Sequence, residues 1–266
     1  EDQVDRDVTT LSLGAFDAPA RAEVVAKAVG VLSGTTAFME TFRQVDPRVR
    51  IESRRHDGEI LAPGDVVLEL NGMEGSILRG ERTALNFLQR LSGVATMTRS
   101  FVERLSDTGV ILLDTRKTSP GMRLLEKRAV RDGGGANHRL HLADMAMIKD
   151  NHIRMAGSIT LAVEAVRRHS PDVGVEVETQ DLGQFREALQ LPVDVIMLDN
   201  FSDEMVKQAV ALNQGRRRLE LSGNLTLDTI ARRVIPGISF VSVGALTHSY
   251  RSLDLSLEIR PRGEKQ

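Results

Sequence analysis

Between Leu113 and His152 the chain gathers Arg116, Lys117, His138, Arg139 and Lys149 around two short apolar runs and the triple glycine Gly133-Gly134-Gly135. Side chains of this kind in one short stretch read as a compact anion site. The run Val110–Leu113 ends in Asp-Thr-Arg-Lys, and the run Met145–Ile148 ends in Lys-Asp-Asn-His. All-apolar runs of this length suit strands buried on both faces of a parallel sheet, and such sheets take their ligands at the carboxyl ends of the strands. Glycines permit positive φ and bring amide N–H groups close to a ligand, and the loop that follows them delivers Asn137, His138 and Arg139 to the rim. Singly, an Arg-Lys pair is an ordinary solvated loop and a glycine triplet an ordinary turn. Their coincidence within one βαβ-sized stretch is what points to a site.

Further apolar runs end differently. Val173–Glu178 and Val193–Asn200 place carboxylates, Glu178 and Asp199, where the earlier strands place cations. Leu219–Gly223 and Phe240–Ala245 end in Ser222-Gly223 and Val243-Gly244-Ala245, small residues whose amides can cradle phosphate. A ligand for such a rim carries several negative charges and also a group that seeks carboxylates, namely Mg²⁺ or ribose hydroxyls. A phosphorylated ribose with a pyrophosphate leaving group meets both demands. The plainer alternative for Glu178 and Asp199 is an ion pair with a neighbouring Lys or Arg.

To hold these residues together the chain needs strands alternating with helices. Ile159–Arg168, Leu182–Leu189 and Asp203–Leu212 are amphipathic at helical spacing and lie between the apolar runs, so right-handed parallel βαβ units follow. The number of runs is short of a complete eight-stranded barrel, which implies an open one, with a doubly wound sheet as the competing architecture. The front third differs. Val49–Arg55 and Val66–Leu70 read as strands set off by Asp57-Gly58 and Pro63-Gly64-Asp65, Ala20–Leu32 fits a short helix or a strand with its latter part favouring strand, and Asn71-Gly72 offers a turn before Ser76–Leu78. A helix runs from Glu81 to Leu105, with Gly93 as a junction or close-packing point and Gly109 as its stop signal, and the domain boundary falls near it.

The 266 residues suffice for one large barrel or two domains, and a hydrophobic content of 41% with 27% charged residues is that of a globular protein. A net charge of −2 exerts no general pull on nucleic acid, and 3% aromatics leave few stacking platforms for single strands. With no Cys, thiolate chemistry, disulfides and Cys-based metal sites are excluded. No apolar run approaches the ~20 residues that cross a bilayer, and the charged start EDQVDRD is no secretory signal, so a cytoplasmic location is expected.

The segments ERTALNFLQRLSGVAT (from Glu81), LDTRKTSPGMR (from Leu113), EKRAVRDGGGANHRLHLADMAMIKDNH (from Glu126), MLDN (from Met197) and SVGALTHS (from Ser242) resemble the quinolinate phosphoribosyltransferase family, the carboxylating nicotinate-nucleotide pyrophosphorylases. The likeness covers nearly the whole chain, from EDQVDRDVTT onward, and its ordered TRK, GGG-x-NHR and KDNH motifs are specific. It implies an N-terminal α/β sandwich over 1–94 completed by 248–266, and an open β/α barrel over 95–247. It implies a homodimer in which Arg82 enters the neighbouring site, and conversion of quinolinate and 5-phosphoribosyl diphosphate to nicotinate mononucleotide, pyrophosphate and CO2 with Mg²⁺. By the same resemblance Arg82, Arg116, His138, Arg139 and Lys149 hold the pyridine dicarboxylate, and Thr115 and Lys117 line its pocket, Lys117 reaching both substrates. Glu178 and Asp199 face the ribose and its metal, while Ser222, Gly223 and Asn224 with Val243, Gly244 and Ala245 bind phosphate. Lys117, Lys149, Glu178 and Asp199 form the expected catalytic set. One departure is Asn224, where the family has glycine; Asn tolerates left-handed backbone angles better than most residues. Rival readings are a nicotinate phosphoribosyltransferase or a relative linked to molybdenum transport, a non-catalytic anion binder, and a Schiff-base aldolase using Lys117 or Lys149.

Overall fold

The computed structural model describes residues 2–13 and 18–260. Glu1 of the opening EDQVDRDVTT segment and the part of the expected C-terminal completion beyond 260 lie outside the described residues. In chain order the elements are α1 (Val8–Leu13), β1 (Pro19–Ala26), β2 (Gly30–Val31), α2 (Thr35–Val45), β3 (Arg50–Ser53), β4 (Ile60–Leu61), β5 (Val66–Met73) and α3 (Glu74–Arg104). These are followed by β6 (Ile111–Leu113), α4 (Arg123–Asp132), β7 (Ala146–Ile148), α5 (Asp150–Ala156), α6 (Ile159–His169), β8 (Val175–Thr179), α7 (Leu182–Leu189) and β9 (Val195–Asp199). The last are α8 (Asp203–Asn213), β10 (Arg218–Ser222), α9 (Ile230–Arg233), β11 (Phe240–Ser242), α10 (Ala245–His248) and β12 (Leu255–Ile259). Two compact units result, Glu1–Arg99 with Leu125–Gly134 and Ser249–Gln266, and Ser100–Leu124 with Gly135–His248. Among the described residues no helix is long and apolar enough to cross a membrane.

The first unit is built on an antiparallel sheet of order β12-β1-β5-β3. Along β1 the residues Ala22, Val24 and Ala26 are buried while Arg21 is exposed, the period-2 pattern of a strand with one covered face. Phe38 and Phe42, one turn apart on α2, pack into the same core as Leu68, Leu70, Leu85 and Leu88. That helix escapes a strand-oriented reading of the front third; its signal was the i,i+4 pair of Phe residues. Asn71-Gly72 is a second correction. It is no turn: both residues stay in β5, opposite Arg21 and Ala20 of β1, and Ser76–Leu78 lies inside α3. The glycine serves contact here, since a Cβ at Gly72 would come within 2.9 Å of Val49. Gly93 acts in the same way without interrupting α3, because a Cβ there would meet the Arg251 carbonyl oxygen at 2.3 Å.

In the second unit all six anticipated apolar runs are strands of one parallel sheet, ordered β6-β11-β10-β9-β8-β7. The strands from β7 to β11 follow sequence order, and β6 joins beside β11, so the sheet is a barrel left open between β6 and β7. Buried residues dominate β8 and β9, and only Glu178, next to last in β8, and Asp199, last in β9, come partly into solvent. Helices α6, α7 and α8 start on side-chain caps: Ser158, Asp181 and Ser202 accept from the N–H groups of Leu161, Gln184 and Met205. Each cap fixes where the chain turns after leaving the sheet, and thereby the rim.

Candidate active site

At the end of β6, Asp114 is fully buried and organises the cationic loop. Its carboxylate accepts from the Asn137 side chain at 2.6 Å and from the His138 backbone N–H at 2.8 Å. The Asp114 N–H donates to the Ala136 carbonyl, and the Ala136 N–H donates to that of Leu112, so the loop lies along β6 as a short parallel bridge. Arg139 is held by donation from Nη1 to the Met145 carbonyl at 3.0 Å. The glycine triplet works differently from the expected amide cradle. The N–H groups of Gly133 and Gly134 donate to Ala129 and Arg131 carbonyls, ending α4, and Gly134 takes φ +93°. A Cβ at Gly133 would lie 2.4 Å from the Ala95 carbonyl oxygen. Gly133 and Gly134 thus allow a tight helix exit and close packing, with their amides already engaged.

The carboxyl ends of the strands surround a cavity of about 820 Å³. Thr115, Arg116, Lys117, His138, Arg139 and Lys149 line one part of it, and Glu178 and Asp199 another. Ser222, Gly223, Asn224, Val243, Gly244 and Ala245 complete the wall. Arg82 stands on α3 in the first unit and is not among the lining residues.

Within this cavity charges are crowded and incompletely matched. Lys149 Nζ lies 2.6 Å from Glu178 Oε2, so the ion-pair alternative holds for Glu178 in this state. Burial and then the Glu178 charge raise the Asp199 carboxyl above the usual range, against the pull of Lys149 and Lys117. Arg139 is shifted downward by burial and by Arg116 beside it, and Arg116 Nε is buried with no hydrogen-bond partner. Two guanidinium groups held near each other and partly out of water are a costly arrangement that a bound dianion would offset. Glu178, Asp199 and the neighbouring Asn200 are hard oxygen donors of the kind Mg²⁺ takes.

The small-residue wall is shaped by positive-φ residues. Gly223 has φ +93°, and a Cβ there would come 2.2 Å from Asn200 Oδ1; Asn224 follows at φ +51°. Asn224 Nδ2 donates to the same Asn200 oxygen at 3.1 Å. The left-handed position inferred for Asn224 is thus occupied as expected. Because an L-residue without such local bonding pays roughly 1–2 kcal/mol in this region, Asn224→Ala should lower the thermal stability and weaken the hold of this wall on a phosphate-bearing ligand, whereas Asn224→Gly should leave both near wild type. Parallel melting and steady-state assays of the two variants check this.

Sequence reading missed the carboxylates beneath the rim. Glu220 lines the cavity, and Glu176 is buried behind it, with His138 Nε2 3.1 Å from Glu176 Oε2 and 3.5 Å from Glu220 Oε2. Burial alone would depress the His138 imidazole, but the two facing carboxylates outweigh it and push it up to about 9. The Arg139 N–H, 2.8 Å from Nδ1, instead favours the neutral ring protonated on Nε2. In either form Nε2 carries a proton, so although His138, Glu176 and Glu220 converge like metal ligands, the ring offers them no lone pair there. The available signal was a Glu inside each apolar strand, at VEVE and LEL, since residues two apart on a strand share a face. Asn200, Met147, Met197 and His248 also line the cavity and were not anticipated.

An open parallel β/α barrel with cations, carboxylates and a small-residue cradle at its strand ends, together with an antiparallel α/β unit, defines a phosphoribosyltransferase. Residues 7–92 match the N-terminal domain, and residues 94–258 the C-terminal domain, of quinolinate phosphoribosyl transferase. The chain is 44% identical over 241 residues to the probable nicotinate-nucleotide pyrophosphorylase (carboxylating) of Bacillus subtilis, covering 90% of this chain and 83% of that one. It is 40% identical to the chloroplastic nicotinate-nucleotide pyrophosphorylase (carboxylating) of Arabidopsis thaliana, over 95% of this chain and 78% of that one. The crystal structure of NadC from Streptococcus pyogenes superposes with a TM-score of 0.90 at 45% identity, covering 96% of this chain and 92% of that one. The chain belongs to the quinolinate phosphoribosyltransferase family.

Proposed function

We propose that the strand-end cavity joins quinolinate to 5-phosphoribosyl diphosphate, giving nicotinate mononucleotide, pyrophosphate and CO2 for NAD biosynthesis. The observation that carries this reading is the convergence of Arg116, Arg139 and Lys149 on one cavity with Glu178 and Asp199. A dianionic pyridine is gripped by the guanidinium groups, whose fork matches planar carboxylates, with Lys149 and His138 beside them and Thr115 along the same wall. Lys117 stands between the dicarboxylate and the phosphate cradle formed by Ser222 to Asn224 and Val243 to Ala245. The ring nitrogen attacks C1 of the ribose while the C1–O bond to pyrophosphate breaks. Glu178 and Asp199 stabilise the positive charge that develops on the sugar, and Lys117 the negative charge on the departing group. The alkylated ring is a pyridinium, so the electron pair of the breaking C2–carboxylate bond is held beside a cationic nitrogen, and a proton then takes the place of CO2. No organic cofactor is required. Mg²⁺, with Glu178 and Asp199 as direct or water-mediated ligands, would supply charge neutralisation for the diphosphate. The functional protein is a homodimer, and Arg82 of one subunit reaches the dicarboxylate in the other. A cytoplasmic site of action fits the absence of cysteine.

Paired assays with quinolinate and with nicotinate test the assignment. Quinolinate should give stoichiometric CO2 and nicotinate mononucleotide. Turnover of nicotinate without CO2 release would transfer the chain to the monocarboxylate reaction.

A further inference from the structure

Two carboxylates under the rim have no part in the chemistry above. Glu176 is 0% and Glu220 1% exposed, and both oxygens of Glu176 and Oε1 of Glu220 lack a hydrogen-bond partner, so their contact with the ring nitrogen of His138 is one of facing charge. A buried carboxylate oxygen left without a partner costs stability. Apolar residues would serve the packing of β8 and β10 better, so these positions need another explanation.

Geometry supplies one. Both carboxylates face Nε2 of His138, at 3.1 and 3.5 Å. On the opposite side of the ring, Nδ1 lies 2.8 Å from the backbone N–H of Arg139. The backbone N–H of His138 is fixed in turn by buried Asp114. The imidazole is therefore clamped between the floor of the barrel and the backbone of the residue that carries the guanidinium. We propose that Glu176 and Glu220 are positioning residues, which act through His138 to set how Arg139 presents its guanidinium to the pyridine carboxylates. The proposal rests on reading this cavity as the quinolinate site. The brace involves the anion half of the cavity; the phosphate cradle is built from Ser222 at the end of β10 and from residues that follow β10 and β11. Loss of the brace should therefore act on one substrate and spare the other.

Glu176→Leu and Glu220→Leu keep the volume roughly constant and remove the facing carboxylate, while Glu176→Gln keeps a carbonyl oxygen opposite Nε2. In the homodimeric enzyme, either Leu variant should raise the KM for quinolinate by about 10-fold or more and leave the KM for 5-phosphoribosyl diphosphate within about 2-fold. Melting temperatures should be unchanged or higher, because an orphaned buried carboxylate has been removed. Glu176→Gln should return the quinolinate KM towards wild type. An unchanged quinolinate KM, an equal rise in both KM values, or Leu variants that melt lower or do not fold would overturn the proposal. A readout independent of catalysis separates this from the functional reading. In ¹⁵N-labelled protein the His138 Nε2–H should exchange slowly in wild type and Glu176→Gln and rapidly in Glu176→Leu. If the wild type fails to turn over quinolinate, the functional reading falls, and a slow Nε2–H that persists in the Leu variant sinks the brace on its own account.

Discussion

Lys149→Ala should lower kcat/KM for quinolinate by about 10³-fold while leaving the fold and the oligomeric state as they are. Two effects add. The variant loses an ammonium from the anion side of the cavity, and it leaves Glu178, whose carboxylate sits 2.6 Å from that ammonium, as an uncompensated negative charge facing an incoming dianion. Truncating one partner of a partly buried charge pair costs roughly 2–5 kcal/mol, and ~4 kcal/mol corresponds to a rate factor of about 10³. Stability is expected to be spared because the side chain is 41% exposed, and its structural duty belongs to the backbone, whose N–H donates to His152 Nδ1 at the start of α5. Steady-state kinetics, with melting and size-exclusion measurements on the same preparation, separate the outcomes. A change of oligomeric state or a large drop in melting temperature would make Lys149 a structural residue.

The second large effect concerns the division of the site between subunits. Arg82→Ala and Lys149→Ala should each be nearly inactive alone, yet regain activity when mixed and allowed to exchange subunits. In a two-fold dimer with one site per subunit, random exchange makes half the dimers mixed, and each mixed dimer holds one intact site of two, so about a quarter of wild-type activity should return. If Arg82 instead serves the site of its own subunit, every mixed dimer carries a defect in both sites and nothing is regained. The result thus distinguishes a shared site from a self-contained one without any structural measurement.

How far the chain could be read in advance followed from which signals are local. The parallel sheet was legible because its strands are short, mostly apolar runs, as residues 195–198 are, and because strand ends carry chemistry in this architecture. The rim residues from Thr115 to Ala245 were legible for the same reason. What was not legible depended on long-range contact. Asn71-Gly72 has the composition of a turn, and only the partners on β1 and the approach of Val49 keep it in β5. The glycine triplet has the composition of an anion loop, but the exit of α4 and the proximity of Ala95 use up Gly133 and Gly134. Glu176 and Glu220 were hidden because a charged residue within an apolar strand gives no sign of its partner; His138, distant in sequence from both, supplies it. Helix α2 was passed over because its Thr-rich start lacks a strong helix signature, and packing of Phe38 and Phe42 decides the matter.

The most direct test of the central claim is a crystal structure of the protein soaked with quinolinate. The pyridine ring should lie in the strand-end cavity with its carboxylates against Arg116, Arg139 and Lys149, and its nitrogen turned towards the space between Glu178 and Asp199. Quinolinate bound elsewhere, or none at a concentration that saturates turnover, would contradict the account.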